Sequence, residues 1–172
     1  MANDIGHGSL SASILFEEIK SRLSGKIEHT PDSNEKWVYK KHIVPSSPSN
    51  IFTINDEYLG NLGASDGIAN GDEIVWLAIK HSGFSTLSKI ATTEGVMINF
   101  SGASKPPLFN GSSANNQNNI FISPGELLII KVNGVNIEDL IAGTCKLSGS
   151  KPSAAGSSGA LIYAAAIIAD KA

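Results

Sequence analysis

Apolar residues recur along this chain at two different spacings, and the change from one to the other comes near residue 30. Between residues 9 and 24, Leu10, Ile14, Ile19 and Leu23 are separated by four, five and four positions, and Leu15 and Phe16 widen the stripe. That spacing predicts an amphipathic helix over 9–24. Ser9 or Ser11 is placed to cap its start and Gly25 follows its end, while Glu17, Lys20, Ser21 and Arg22 fill the opposite face. A lone helix of this length is marginal in water, so the stripe requires a surface to dock on, either the chain's own domain or a neighbouring subunit.

Beyond the polar link Thr30-Pro31-Asp32-Ser33-Asn34, the pattern shifts to period two and to short apolar runs. Trp37, Tyr39 and Ile43 alternate with Lys36, Lys40 and His42, as in a strand whose lysine and histidine face is wet. Pro45-Ser46-Ser47-Pro48 interrupts it, and Ile51-Phe52-Thr53-Ile54 reads as a second, shorter strand. Gly60 to Asp72, with Gly60, Gly63, Gly67 and Gly71, reads as loop. Glu73 to His81 is apolar on both faces through Ile74-Val75-Trp76-Leu77-Ala78-Ile79, the mark of an interior strand.

Val96 to Phe100 is the next strand, and the polar stretch Ser101 to Asn119 is too long for a structural turn and suits an exposed loop or docking arm. Ile120-Phe121-Ile122 then meets Ser123-Pro124-Gly125-Glu126, where proline followed by glycine specifies a type II turn. Leu127 to Val132 reads as a buried strand closed by a tight turn at Asn133-Gly134, and Ser148 to Gly159 as a second polar break. For Ala160 to Ala169, the alanines favour helix, but Leu161-Ile162-Tyr163 and Ile167-Ile168 favour a strand, and the glycine-rich approach lacks a helix cap. We expect a strand.

Together these elements predict a mainly β protein. The expected organisation is an N-terminal helical segment over 1–25 and an antiparallel β-sandwich domain over 35–172, jelly-roll or immunoglobulin-like. Its core is expected to include Trp76, Leu77, Ile79, Leu128, Ile130, Val132 and Ile162, with Trp37 open between core and surface. A chain of 172 residues with 41% apolar content is long and apolar enough for one such domain.

Composition narrows function chiefly by exclusion. Ser, Asn and Gly number 23, 14 and 17, charged residues are only 17%, and the net charge is −3. Arg22 is the only arginine, so direct nucleic-acid binding is not expected. Cys145 stands alone, which rules out an intramolecular disulfide or a multi-thiolate metal site, and it reads as a small buried side chain. Met1 to Leu10 lacks the basic and then apolar run of a secretory signal, and the longest apolar run, Ala160 to Ala169, is half the length of a membrane span.

No motif carries chemistry. His7, His29, His42 and His81 have no metal-ligand spacing, and His81 reads as a satisfied strand-end histidine. Serines abound without a nucleophile elbow; Gly8-Ser9-Leu10-Ser11 comes nearest and lacks the second glycine. Asp66 to Glu73 resembles a calcium loop at Asp66, Asn70 and Gly71, but Ile68 fills a ligand slot and Leu77 replaces the closing glutamate. Neighbouring carboxylates (Glu17-Glu18, Asp56-Glu57, Asp72-Glu73, Glu138-Asp139) would point to opposite faces on strands and form no catalytic pair. No catalytic residue, cofactor site or metal site is expected.

One composite stretch carries a resemblance. Gly71-Asp72-Glu73-Ile74-Val75-Trp76-Leu77-Ala78-Ile79-Lys80-His81-Ser82-Gly83, then Ile120-Phe121-Ile122-Ser123-Pro124-Gly125-Glu126-Leu127-Leu128-Ile129-Ile130-Lys131-Val132-Asn133-Gly134, is similar to small structural proteins of tailed bacteriophages, head and decoration proteins among them. The resemblance covers roughly residues 71 to 147 and leaves out the segment at 9–24. It implies a virion component, such as a capsid decoration (cement) protein, bound to other virion proteins in an oligomer or shell lattice, with no membrane partner and no catalytic residue to carry over. The alternative function is a carbohydrate- or receptor-binding β-sandwich module of a fibre or lectin type. A hydrolase would need a site assembled from distant loops.

Overall fold

A computed structural model of the chain describes residues 6–16, 19–59, 67–69, 71–85, 90–102, 119–136, 145–150 and 159–171. Ten strands run in chain order: β1 Gly6–Phe16, β2 Ile19–His29, β3 Glu35–Val44, β4 Ser49–Asn50, β5 Glu73–His81, β6 Val96–Gly102, β7 Asn119–Ile122, β8 Leu127–Asn136, β9 Cys145–Ser150 and β10 Ala160–Ala169. They form the two-stranded ribbon β1-β2 and two four-stranded sheets, ordered β3-β10-β5-β8 and β4-β9-β6-β7. Every pairing is antiparallel. No helix occurs among the described residues.

The helix predicted over 9–24 is therefore corrected to two strands. The sequence carries both periods: Leu10, Ala12, Ile14 and Phe16 also alternate with Ser9, Ser11, Ser13 and Leu15. Serines in helix interiors offer the backbone competing hydrogen bonds, so a Ser-rich alternation tips toward extended chain. The register pairs Leu10 with Gly25, Ala12 with Leu23, Ile14 with Ser21 and Phe16 with Ile19.

The interior strands follow the apolar pattern. β5 has the bounds read from sequence, and β10 is the strand expected at Ala160 to Ala169, lying between β3 and β5. Its alanines suit that place, since Ala166 stands between Val38 and Leu77 and Ala164 between Lys40 and Ile79. One apolar cluster draws on both four-stranded sheets. Val38, Val44, Ile74, Leu77, Ile79, Ala164, Ala166 and Ile162 of the first join Val96, Ile98 and Ile122 of the second, with Leu128 and Ile130 packed against them.

Several expectations change. Ile51 to Ile54 is a bend rather than a strand. Adjacent strand residues point to opposite faces, whereas Ile51 and Phe52 are both fully buried in the same cluster. Asn133-Gly134 does not end β8, which runs on to Asn136; it lies where the register jumps from Trp76–Lys131 to Ile74–Val135. Glycine there serves an irregularity in the strand instead of a hairpin turn. Ser148 to Ser150 belong to β9 and Asn119 to β7, so the polar breaks are shorter than read. The expectations for 60–66, 103–118, 137–144 and 151–158, and for the side chains of Cys145 and Val132, lie outside the described residues.

The turn at Ser123 to Glu126 is formed as expected. Gly125 has φ +85°, the Glu126 N–H donates to the Ser123 carbonyl at 3.0 Å, and the Ser123 N–H donates to the Glu126 carboxylate at 2.6 Å. It links β7 in one sheet to β8 in the other. Gly125→Ala should destabilise the fold by about 1–2 kcal/mol, because a Cβ opposes left-handed backbone. A urea midpoint equal to that of the parent chain would refute the requirement for glycine.

Candidate functional site

β5 determines which residues the first sheet turns toward the core and which away from it. Ile74 pairs with Ile168 and Trp76 with Ile167 on β10, leaving Val75 as an extra residue. This bulge puts Ile74 in phase with Leu77 and Ile79 and sends Trp76 to the opposite face. Trp76 is buried as expected, but outside the central cluster, with its ring edge-on to Trp37 at 5.4 Å. Its indole Nε1 is buried without a hydrogen-bond partner.

The opposite face can be read row by row across β3, β10, β5 and β8. The first row is Trp37, Ile167, Trp76 and Lys131; the second is Tyr39, Ala165, Ala78 and Ile129; the third is Lys41, Tyr163, Lys80 and Leu127. Ile43 and Leu161 begin a fourth. Ile167 and Trp76 are buried, whereas Tyr39, Ile43 and Leu127 are 44, 42 and 52% exposed. Ala165 and Ala78, both half-buried, stand between Tyr39 and Ile129 in the second row. Lys41, Lys80 and Lys131 are exposed and ion-pair with none of the described residues. Glu35 and Glu73 lie only at the far margin, beside Ala169, and are engaged by His29 and Lys171.

This reverses the sequence reading of β3. Trp37, Tyr39 and Ile43 lie on the outer face, while Lys36, Lys40 and His42 share the inner face with Val38 and Val44. The inner polar groups are matched: Lys36 Nζ with Asp170 at 2.6 Å, Lys40 Nζ with Asp56 at 2.8 Å, and His42 Nε2 with Ser49 Oγ at 2.9 Å. The signal was the valine pair, which is in phase with Lys40 and His42.

The groups that carry reactivity elsewhere have structural partners here. His42 and Ser49 form a hydrogen-bonded pair, but the Asp56 carboxylate accepts from Lys40 and from the Thr53 N–H. It is not placed to orient the imidazole as a third catalytic group. His81 is fully buried: its Nε2–H donates to the Glu94 carbonyl at 3.0 Å and its Nδ1 accepts the Gly83 N–H at 3.0 Å. That is the satisfied strand-end histidine expected. Asp72, at the end of the glycine-rich loop, accepts from Tyr58 OH, the Ala69 N–H and the Lys171 N–H. Among the described residues, no three His, Cys, Asp or Glu side chains gather as a metal set.

Burial lowers the pKa of both His42 and His81; Lys40 adds to the effect at His42, and Asp56 and the Glu94 carbonyl oppose it at the two sites respectively. The native state then binds fewer protons than the unfolded chain once pH falls below 6.5, the ordinary histidine value. Stability is therefore greatest above that value and falls as pH drops toward the depressed native pKa values. Thermal melts between about pH 7.5 and 5 should show this decline, and it should flatten in His42→Asn/His81→Gln. An unchanged slope in the double variant would assign the acid sensitivity elsewhere.

No family model, curated protein or solved structure matches the chain.

Proposed function

We propose that this chain is a non-enzymatic structural subunit of a virion, a capsid decoration (cement) or other head-associated protein that binds neighbouring shell subunits. On this reading the two four-stranded sheets are the layers of a β-sandwich. The observation that carries the proposal is the outer face of β3-β10-β5-β8, where Tyr39, Ile43 and Leu127 stand exposed on the same face as the buried Trp76 and Ile167. A broad face of aromatic and aliphatic side chains edged by lysines suits protein contact distributed over area. The Ser123-Pro124-Gly125-Glu126 turn and its flanking strands add the phage-like pattern.

The carbohydrate-binding alternative is less well supported. Tyr39 and Tyr163 are diagonal neighbours, but the rows between Trp37 and Leu127 contain no carboxylate or amide to accept from sugar hydroxyls. The test is co-sedimentation with assembled shells, paired with glycan-array binding and electron microscopy of the protein purified from its source. The proposal expects a place in a regular shell. Glycan binding by a chain absent from any particle would overturn it.

A further inference from the structure

We infer that the open edge of β3, at Tyr39, Lys41 and Ile43, takes up an extended segment of a neighbouring protein as an added strand. That segment carries a carboxylate between two apolar residues at alternate positions. The inference rests on the reading above for the neighbour being a virion protein, and deepens it by naming the chemistry of the contact.

β3 lies at the margin of its sheet and pairs within it only with β10. In an antiparallel ladder, the backbone groups of successive residues point alternately to the two sides of a strand. The Asn34 carbonyl accepts from the Asp170 N–H, just past β10, whereas the Trp37 carbonyl accepts from the Leu59 N–H at 2.7 Å, outside the pairing of the sheet. Even-numbered residues of β3 therefore turn their N–H and C=O groups to β10, and odd-numbered residues turn theirs outward. The segment ending at Leu59 covers that outward row at Trp37. Beyond it, the backbones of Tyr39, Lys41 and Ile43 bond to none of the described residues on that side. Their side chains are all exposed, on the outer face of the sheet. The same three residues thus offer outward backbone groups and an aromatic, cationic and aliphatic row, the two means by which a sheet edge recognises an extended chain.

Charge and register select the occupant. Lys41 ion-pairs with none of the described residues, whereas Lys40 beside it is matched by Asp56. An antiparallel partner uses the outward groups only in registers that set its own outward residues against the odd ones of β3. For two copies of this edge, opposing Lys41 to itself sets two ammonium groups face to face, a destabilising cross-strand pair. Shifting one way opposes Ile43 to Trp37, whose carbonyl is already engaged. Shifting the other way opposes Tyr39 to Pro45, which has no N–H. A foreign strand meets neither obstacle. A carboxylate opposite Lys41, with apolar residues opposite Tyr39 and Ile43, satisfies all three positions.

The probe is a blocked five-residue peptide, valine-threonine-glutamate-threonine-valine, titrated into the full chain and followed by backbone amide NMR. Saturable shifts are expected at Tyr39, Lys41 and Ile43, with slowed exchange of their amide protons. The peptide with lysine in place of glutamate should bind about threefold to tenfold more weakly, and Lys41→Glu should reverse that preference. Methylating the glutamate N–H, which would face β3, should abolish binding, while methylating the threonine N–H groups, which would face away, should not. Lys41 is exposed, so Lys41→Glu should melt like the parent; if it fails to fold, the two peptides and their methylated forms decide the matter on the parent chain. No shift at these amides with millimolar peptide, binding indifferent to glutamate or lysine, or binding that survives methylation of the glutamate N–H would each overturn the proposal. Because no particle enters this experiment, its failure leaves co-sedimentation with shells standing, and absence from a shell leaves strand addition standing.

Discussion

Asp72→Ala is expected to lower the unfolding free energy by about 3–5 kcal/mol, because it leaves several donors unsatisfied in a site closed to water. The carboxylate is 0% exposed and holds three separate parts of the chain. Tyr58 OH reaches it from the segment after β4, the Ala69 N–H donates at 2.8 Å from its own turn, and the Lys171 N–H donates at 3.0 Å just beyond β10. Tyr58→Phe removes one donor together with its demand and should cost about 1–2 kcal/mol. Denaturant titration of the two variants separates the effects. If Asp72→Ala cost no more than Tyr58→Phe, the two backbone bonds would contribute nothing.

The second large effect belongs to Phe52. It lies in the bend after β4, is fully buried, and is the largest of the completely enclosed side chains among the described residues. Phe52→Ala should cost about 3–5 kcal/mol through lost apolar burial and the cavity left between the sheets. Ile54 is only half-buried, so Ile54→Ala should cost clearly less. Alternating strand positions would give Phe52 and Ile54 one face and similar costs. Equal losses in the two variants would therefore return this segment to the strand that its sequence suggested.

Residues 51–54 illustrate what a one-dimensional pattern omits. Apolar density identified Glu73 to His81 and Ala160 to Ala169 as strands because interior strands are apolar on both faces, whatever their neighbours. Proline followed by glycine identified the turn at Ser123 to Glu126, since that backbone requirement is local. Facing is not local. Lys40 and His42 can share the inner side of β3 only because Asp56 and Ser49, brought from other segments, match them. Trp76 turns away from Ile74 because Val75 bulges against β10, and nothing in Ile74-Val75-Trp76 announces the extra residue. The candidate surface is therefore visible in sequence as aromatic and aliphatic residues on β3, while the side they face is not. The N-terminal segment satisfies two periodicities at once, and its serines fit helix caps and an alternating strand alike.

The position of β10 also bears on how the molecule is made. β3 is hydrogen-bonded within its sheet only to β10, although 115 residues separate Val44 from Ala160 along the chain and these two residues are register partners. During synthesis β3 emerges early and waits, with both edges unpaired in its sheet, until Ala160 to Ala169 are available to enter between it and β5. Such distant pairing carries the loop-closure cost before its reward and places folding in the slow, millisecond-to-second regime of β topologies. In that interval Trp37, Tyr39 and Ile43 stand on an open strand. The lysines interleaved with them, Lys36, Lys40 and Lys41, then act as gatekeepers against association of nascent chains, before the same side chains take up their places in the finished sheet.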